Sequence, residues 1–293
     1  MINAANKDKN LTLVLSGGGA LGALQIGALY ALQETGYQPD MVVGVSIGAV
    51  NASFLALTGF SKISLDNLKS AWIESMHSNL LPSNYIWLAL KAMLRRSSSD
   101  PAQTIKDFFI AKGMKPELQF KDLRQPRLVI VSSDLNSAEP VLHGLNLEER
   151  VLDSLLISTA LPPWFMPVQA DDHYLIDGGL VSNLPVEPAV RAGASHIIAL
   201  DLMDARGTQG FGFRLPEFLD KLTIAPEKRQ LALELELAAA HGIPTDYLGL
   251  SAQRSVPFWD FSHTPELIEQ GYQTMHDWLE KRGTESENST PSL

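Results

Sequence analysis

The chain has 293 residues and no cysteine, which excludes disulfides, thiolate metal ligands and a cysteine nucleophile. Hydrophobic residues make up 45% and charged residues 19% of the chain, the balance of a protein with a sizeable core, and a formal net charge of −10 disfavours a nucleic-acid partner. No apolar run approaches the roughly 18 to 20 residues needed to cross a bilayer or resembles a signal peptide core, so we expect a soluble, cytoplasmic protein.

The first part of the chain predicts two consecutive units of strand, turn and helix. Leu11–Leu15 is an aliphatic run closed by glycines, which predicts a short buried strand, and a helical pattern follows over 21–33. Met41–Val45 predicts a second strand, and the alanine-rich segment 49–57 predicts a second helix. Residues 61–114 then show only helical patterns, so we interpret them as a helical insertion after the second unit.

The rest of the chain alternates between strand and helix patterns. Three aliphatic runs predict strands at 128–131, at 140–142 as an edge strand, and at 173–176. The other predicted elements are a helix over 147–160, a last strand over 196–200, and helices over 216–240 and 265–282. This alternation indicates an α/β fold in three layers, with a mainly parallel central sheet flanked by helices.

We expect one continuous domain over residues 11–282. A polar lead, 1–10, precedes it, and the polar residues 283–293 are predicted to be a disordered tail. Within the helical insertion, residues 80–96 combine apolar and aromatic side chains with three cations. We interpret this segment as a candidate lid or a peripheral membrane contact, and packing on the core is the alternative.

A pentapeptide at the end of the second predicted strand matches G-x-S-x-G, with Gly44, Ser46 and Gly48 at the fixed positions. In a sharp turn from strand to helix the serine is strained and exposed, and the flanking glycines remove Cβ atoms that would collide. The amide of Ile47, at the helix start, would face an oxyanion formed by attack of this serine. The pattern predicts a nucleophile elbow, with an ordinary turn as the alternative.

The glycines after the first strand match two motifs. Gly17, Gly18, Gly19 and Gly22 fit the dinucleotide pattern G-x-G-x-x-G. That pattern requires an acid at the end of the second strand, whereas Asp40 precedes this strand. We therefore interpret the loop as a cradle of backbone N–H groups for an oxyanion.

A serine nucleophile needs a base, and the best-placed candidate is a carboxylate. Asp177 ends a predicted strand and is followed by Gly178 and Gly179, which leave space around it. The histidines lie in less suggestive positions: His77, His143, His173, His196, His241, His263 and His276. The pattern favours a Ser46–Asp177 dyad, with an Asp-Gly-Gly turn of no catalytic role as the alternative.

The glycine-rich loop, G-x-S-x-G and Asp-Gly-Gly, in this order and at these strand ends, resemble the patatin-like phospholipase family. Segments 158–163 and 183–185 add to the resemblance, which spans about 11–200. It implies a patatin-like fold and a serine acyl hydrolase that cleaves lipid or other acyl esters. No metal-ligand cluster in the sequence argues for a required ion, and we expect no cofactor. By this resemblance Ser46 is the nucleophile, Asp177 the base and the three consecutive glycines the oxyanion loop. Many family members carry Arg or Lys near Ala20 and Leu21, and this chain does not.

Two other classes of function stay open at this point. An α/β-hydrolase would use G-x-S-x-G with an acid and a histidine such as His196 or His263. A non-catalytic nucleotide-binding or acyl-binding module would use the loop Gly17 to Gly22 without acylating the serine. The sequence leaves the lipid class, the cleaved position, any activator and the oligomeric state open.

Overall fold

The computed structural model describes residues 10–76, 101–162, 165–203 and 215–288, and these build one eight-stranded sheet. The strands in chain order are β1 (Leu11–Leu15), β2 (Met41–Val45), β3 (Arg127–Asp134), β4 (Glu139–His143), β5 (Val168–Ala170), β6 (His173–Asp177), β7 (His196–Met203) and β8 (Thr245–Ser251). The helices are α1 (Gly22–Glu34), α2 (Ile47–Thr58), α3 (Lys62–Ser75), α4 (Pro101–Ala111), α5 (Val151–Ser158), α6 (Val186–Arg191), α7 (Leu215–Ala240) and α8 (Thr264–Asn288).

The sheet is parallel in its centre and antiparallel at one side. Hydrogen-bonded neighbours follow the path β5-β6-β3-β2-β1-β7-β8, and β4 pairs with β3 in addition. β2 and β6 pair with different stretches of β3, 127–131 and 132–134. The neighbours from β3 to β8 along this path are parallel, and β4, β5 and β6 pair antiparallel. Helices cover both faces, with a separate apolar core on each. This confirms the predicted three-layer, mainly parallel α/β fold.

The central strands are aliphatic throughout because both of their faces are buried. Leu13, Val14 and Leu15 are inaccessible to solvent, and alternate residues of this strand belong to the two different cores. The predicted bounds of β1 and β2 are confirmed for this reason. On one face α1 packs closely against α8, where a Cβ at Gly27 would overlap the carbonyl oxygen of Ile268. Glycine therefore allows these two helices to approach each other at backbone distance.

Several predicted boundaries were wrong. The strand at 196–200 is not the last one, because β8 pairs with β7 along the edge of the sheet, and the short β5 was missed as well. α5 begins at Val151 rather than at 147, because Arg150 forms an antiparallel bridge with Gln119. α8 extends past Arg282 to Asn288, into the segment predicted to be disordered.

Within the helical insertion the described parts are α3 and α4, as the periodicity predicted. The candidate lid and membrane contact at 80–96 lies outside the described residues. In the part of the chain that the structure describes, no helix has the length and apolar character required to cross a membrane.

Candidate active site

Ser46 occupies a strained turn between β2 and α2. Its backbone has φ 52° and ψ −124°, a region that residues with a side chain rarely adopt. The turn is compact because a Cβ at Gly48 would overlap the carbonyl oxygen of Leu15, and one at Gly44 would come within 2.6 Å of the Gly48 carbonyl carbon. Ile47 begins the helix, so its amide lies at the positive end of α2. These features match the predicted nucleophile elbow.

The pairing of β3 explains why Asp177 reaches this turn. β3 pairs with three strands, although a strand has only two edges, and β4 occupies one edge over 130–134. β2 and β6 therefore share the other edge: Val45 of β2 lies opposite Val131, and Asp177 of β6 lies opposite Ser132. The two strands run toward each other along β3, so the end of β6 meets the residue that follows β2.

Asp177 is buried, and its environment shifts its ionisation. Its side chain accepts the amide of Gly179 at Oδ1 (2.8 Å), while Oδ2 has no hydrogen bond of ordinary geometry from the described residues. Burial raises the pKa of Asp177 to about 6, and the nearby Ser46 hydroxyl and the Gly179 amide oppose this increase. Gly178 permits the close approach to β3, because a Cβ there would overlap the carbonyl oxygen of Val131. The carboxyl is thus poised to accept a proton near neutral pH.

The glycine loop lies beside Ser46, but its amides differ in availability. The Gly17 amide donates to the Asn183 carbonyl oxygen (3.1 Å). The prediction that this amide is available to an oxyanion was therefore wrong. A Cβ at Gly17 would lie 3.2 Å from the Ser46 Cβ, which shows how closely the loop approaches the serine. Gly18 and Gly19 line the same cavity as Ser46 and Asp177. Their amides are the loop's candidate oxyanion donors.

A segment beyond residue 200, which the motifs did not indicate, holds the loop in place. The Ala20 amide donates to the carbonyl oxygen of Phe258 (2.7 Å). Gly19 has φ +57°, and a Cβ there would overlap the same oxygen. Trp259 and Phe261 of this segment line the cavity as well. The aromatic residues Phe258, Trp259 and Phe261 were the feature of the sequence that could have indicated this contact.

A buried network of polar side chains is hydrogen-bonded to the backbone at both ends of the glycine loop. Gln25 Nε2 donates to the Ser16 carbonyl oxygen (2.9 Å), and Asn51 Nδ2 donates to that of Gly22 (3.1 Å). Asn51 in turn accepts a hydrogen bond from Trp72 Nε1 (2.9 Å). These side chains hold both ends of the glycine loop, and they are satisfied within the core. Gly22 therefore acts in packing, since a Cβ there would lie 2.8 Å from the Trp72 ring.

The cavity has a volume of about 1220 Å³ and two unlike sides. One side is formed by apolar residues of α2, α3, α4 and α5: Val50, Phe54, Leu68, Ile105, Phe109 and Leu155. The other side is polar and lies against α7 and β8. There Tyr247 donates to Asp201 Oδ2 (2.7 Å), Ser182 donates to Glu234 Oε1 (2.7 Å), and burial raises the pKa of both acids. Ser46 and Asp177 lie in the wall of the same cavity.

The features that the two alternative functions require lie elsewhere. No histidine of the described residues lines the cavity, and His77 is outside them. His196 is the first residue of β7, so it lies at the amino-terminal ends of the parallel strands, whereas Ser46 follows the carboxyl end of β2. It bonds to Asp246 (2.9 Å), while His263 contacts charged side chains of its own segment. Asp40 also lies at the amino-terminal ends of these strands, where it accepts the Leu11 amide (2.9 Å). Among the residues that the structure describes, the site thus holds neither a triad histidine nor the acid of a dinucleotide site.

Two other clusters of reactive side chains do not line the cavity. Ser132 Oγ bonds to His143 Nε2 (2.8 Å), but this serine is inaccessible to solvent. Among the described residues, one group on α8 is close enough to share a metal ion: His276, Asp277 and Glu280. Neither cluster takes part in the Ser46 site.

The sequence is similar to known esterases and phospholipases. It is 33% identical over 193 residues to the neuropathy target esterase sws of Drosophila melanogaster, a match that covers 66% of this chain and 13% of that protein. It is 34% identical over 195 residues to the patatin-like phospholipase domain-containing protein 6 of Homo sapiens, with the same two coverages, 66% and 13%. The chain therefore corresponds to a small part of the length of these relatives.

Solved structures also resemble this chain. Human GIVD cytosolic phospholipase A2 in complex with a fluorophosphonate inhibitor has a TM-score of 0.49 and 12% identity, over 95% of this chain and 60% of that one.

The sequence model of the patatin-like phospholipase family matches residues 13–190, a stretch that contains the elbow, the glycine loop and Asp177. Because this match covers more than half of the residues of the chain, the chain belongs to the patatin-like phospholipase family.

Proposed function

We propose that the chain hydrolyses carboxylic esters of lipids, with Ser46 as the nucleophile and Asp177 as the general base. The observation that carries this proposal is the meeting of β2 and β6 on one edge of β3, which brings a strained serine to a buried carboxyl. Gly18, Gly19 and Ile47 line the same cavity, and family membership supports the same chemistry.

In the first half of the reaction Asp177 accepts the hydroxyl proton of Ser46 as Oγ attacks the ester carbonyl carbon. The carbonyl electron pair moves to oxygen, and the amides of Gly18, Gly19 and Ile47 stabilise this oxyanion. The tetrahedral intermediate then collapses and expels the alcohol. The alcohol takes the proton from Asp177, and the acyl group stays on Ser46.

In the second half water attacks the acyl-enzyme, and Asp177 accepts a proton from this water. Collapse of the second intermediate releases the carboxylic acid, and the proton returns from Asp177 to Ser46 Oγ. A carboxyl with its pKa raised to about 6 suits both directions of transfer, because it binds and releases a proton near neutral pH.

The apolar side of the cavity is the proposed place for the acyl chain. Val50 lies one turn of α2 after Ser46, and Phe54 follows it on the same side of the helix. An acyl chain buried there gains about 0.8 kcal/mol per methylene, which favours long-chain esters. The alcohol would then leave toward the polar side, near Asp201 and Tyr247.

A fluorophosphonate probe tests the proposed nucleophile. We expect covalent labelling of the wild-type chain, a mass increase confined to the peptide that contains Ser46, and no labelling of Ser46→Ala. Ser132→Ala is the matched control, because Ser132 bonds to a histidine but is buried outside the cavity. It should label like the wild type. Labelling and ester hydrolysis that persist in Ser46→Ala would reject the proposal, and a folded wild-type chain that never labels would favour a binding module.

A second prediction concerns the acyl side of the cavity. We expect Val50→Trp to lower kcat/KM for a sixteen-carbon acyl ester by about tenfold or more, because the indole occupies space that the chain needs. Hydrolysis of a four-carbon ester with the same alcohol should change by about twofold at most. The ratio of the two rates serves as an internal control for folding. An unchanged ratio would show that the acyl chain lies elsewhere.

A further inference from the structure

Both members of the dyad are hydrogen-bonded to one short stretch of chain, the end of α5. Ser158 Oγ accepts the backbone amide of Ser46 (3.0 Å), and the carbonyl oxygen of Ala160 accepts the backbone amide of Asp177 (3.2 Å). Only one residue separates these two anchors in the sequence. The end of α5 therefore fixes the backbone of the nucleophile and of the base relative to each other.

The hydroxyl of Ser158 has a second bond that places it at the junction of the sheet. It donates to the carbonyl oxygen of Val131 (2.7 Å). Val131 pairs with Val45, the last residue of β2, and the next residue, Ser132, pairs with Asp177, the last residue of β6. Ser158 is inaccessible to solvent, so no water replaces these bonds. A hydroxyl is one of the few small groups that can donate to a carbonyl and accept from an amide at the same time.

The strain at Ser46 gives this contact a consequence for catalysis. A residue with φ 52° holds that conformation only when its surroundings impose it. Loss of the bond to Ser158 would leave the Ser46 amide without a partner and would let the turn relax. A displacement of about 1 Å of a reacting group can cost about 100-fold in rate.

We propose that Ser158 is a positioning residue that holds the Ser46 backbone so that its hydroxyl points at Asp177. This inference rests on the proposed function of Ser46 and Asp177 and extends it to a residue that does not line the cavity. Ser158 acts on the reaction through the Ser46 amide and the Val131 carbonyl, and does not touch the substrate.

The test compares Ser158→Ala with Ser154→Ala. Ser154 lies one turn earlier on α5, is also buried, and donates only to the carbonyl oxygen of Arg150 in the same helical turn (3.1 Å). We expect Ser158→Ala to lower kcat by about 10 to 100-fold with KM within about twofold, and Ser154→Ala to leave both within about twofold. Thermal unfolding monitors the folding of both variants.

The pH profile separates positioning from a merely structural role. The Ser46 hydroxyl lowers the pKa of Asp177, so a displaced hydroxyl should move the acid limb of kcat/KM to higher pH. Ser158→Cys keeps the shape of the side chain but bonds more weakly, and it should show a smaller shift in the same direction. This variant decides the question if Ser158→Ala does not fold.

The outcomes distinguish this inference from the proposed function. Hydrolysis that survives in Ser46→Ala would overturn the function and the positioning role together. If Ser46→Ala is inactive while the Ser158 variants keep the kcat and pH profile of Ser154→Ala, only the positioning role is overturned. A lower kcat with the acid limb shifted upward supports it.

Discussion

Asp177→Asn is expected to lower kcat/KM by about 100 to 10,000-fold, because the reaction loses the only proposed proton acceptor for Ser46. In the wild type the acid limb of kcat/KM should have its midpoint near pH 6, where burial places the pKa of Asp177. The rate should rise as pH increases through this value, since only the ionised carboxylate can accept the proton. A pH profile from 4 to 9 with a long-chain ester measures both effects.

The same substitution should stabilise the folded protein at neutral pH. The carboxyl has an ordinary pKa of 3.8 and a pKa of about 6 when buried, a difference that corresponds to about 3 kcal/mol of unfavourable burial of the charge. Below pH 3.8 the group is protonated in both the folded and the unfolded state, so this destabilisation is absent. It develops as pH rises to about 6 and stays constant above that value.

We therefore expect Asp177→Asn to raise the free energy of unfolding by about 1 to 3 kcal/mol at pH 8, since the buried amide retains part of the desolvation cost. The difference in the free energy of unfolding between Asp177→Asn and the wild type should vanish near pH 4. Asp172→Asn is the matched control, because this exposed acid lies in the turn before β6 and should change neither rate nor stability. A variant that is equally stable at both pH values would contradict the raised pKa, and an active one would contradict the role of Asp177 as base.

Gly19→Ala is expected to lower kcat by about 100 to 1,000-fold, the effect of losing an oxyanion donor. The added Cβ overlaps the carbonyl oxygen of Phe258, so the loop must move away and the hydrogen bond from the Ala20 amide must break. The amides of Gly18 and Gly19 then no longer face the oxyanion. KM should change little, because the apolar side of the cavity is not altered.

Gly36→Ala is the control that distinguishes the collision of the new Cβ with Phe258 from the strain of placing alanine at a positive φ. Gly36 also has a positive φ, +78°, but a Cβ there meets no atom within 4 Å. It should cost about 1 kcal/mol in the free energy of unfolding and leave kcat unchanged. Steady-state kinetics and thermal unfolding of both variants make the comparison. If Gly19→Ala keeps the kcat of Gly36→Ala, the glycine loop does not supply the oxyanion donors.

The elements that the sequence predicted best are those that depend on local patterns and complete burial. β1 and β2 have the predicted bounds because a central parallel strand must be aliphatic on both faces. The elbow around Ser46 follows from glycines that a tight turn requires. β5 and β8 were missed because they are partly exposed strands at the sides of the sheet, where an aliphatic run is not needed.

The amino-acid sequence by itself determined the order of the motifs, the α/β class and the two residues proposed for the reaction. The tertiary structure alone decided that β2 and β6 end against each other on β3, that the Gly17 amide is already engaged, and that Phe258 and Ser158 hold the site together. It also decided the pKa of Asp177, because desolvation depends on which atoms surround a carboxyl. Contacts between distant segments depend on strand register and on packing, and the local pattern around each motif does not by itself say which segments will meet.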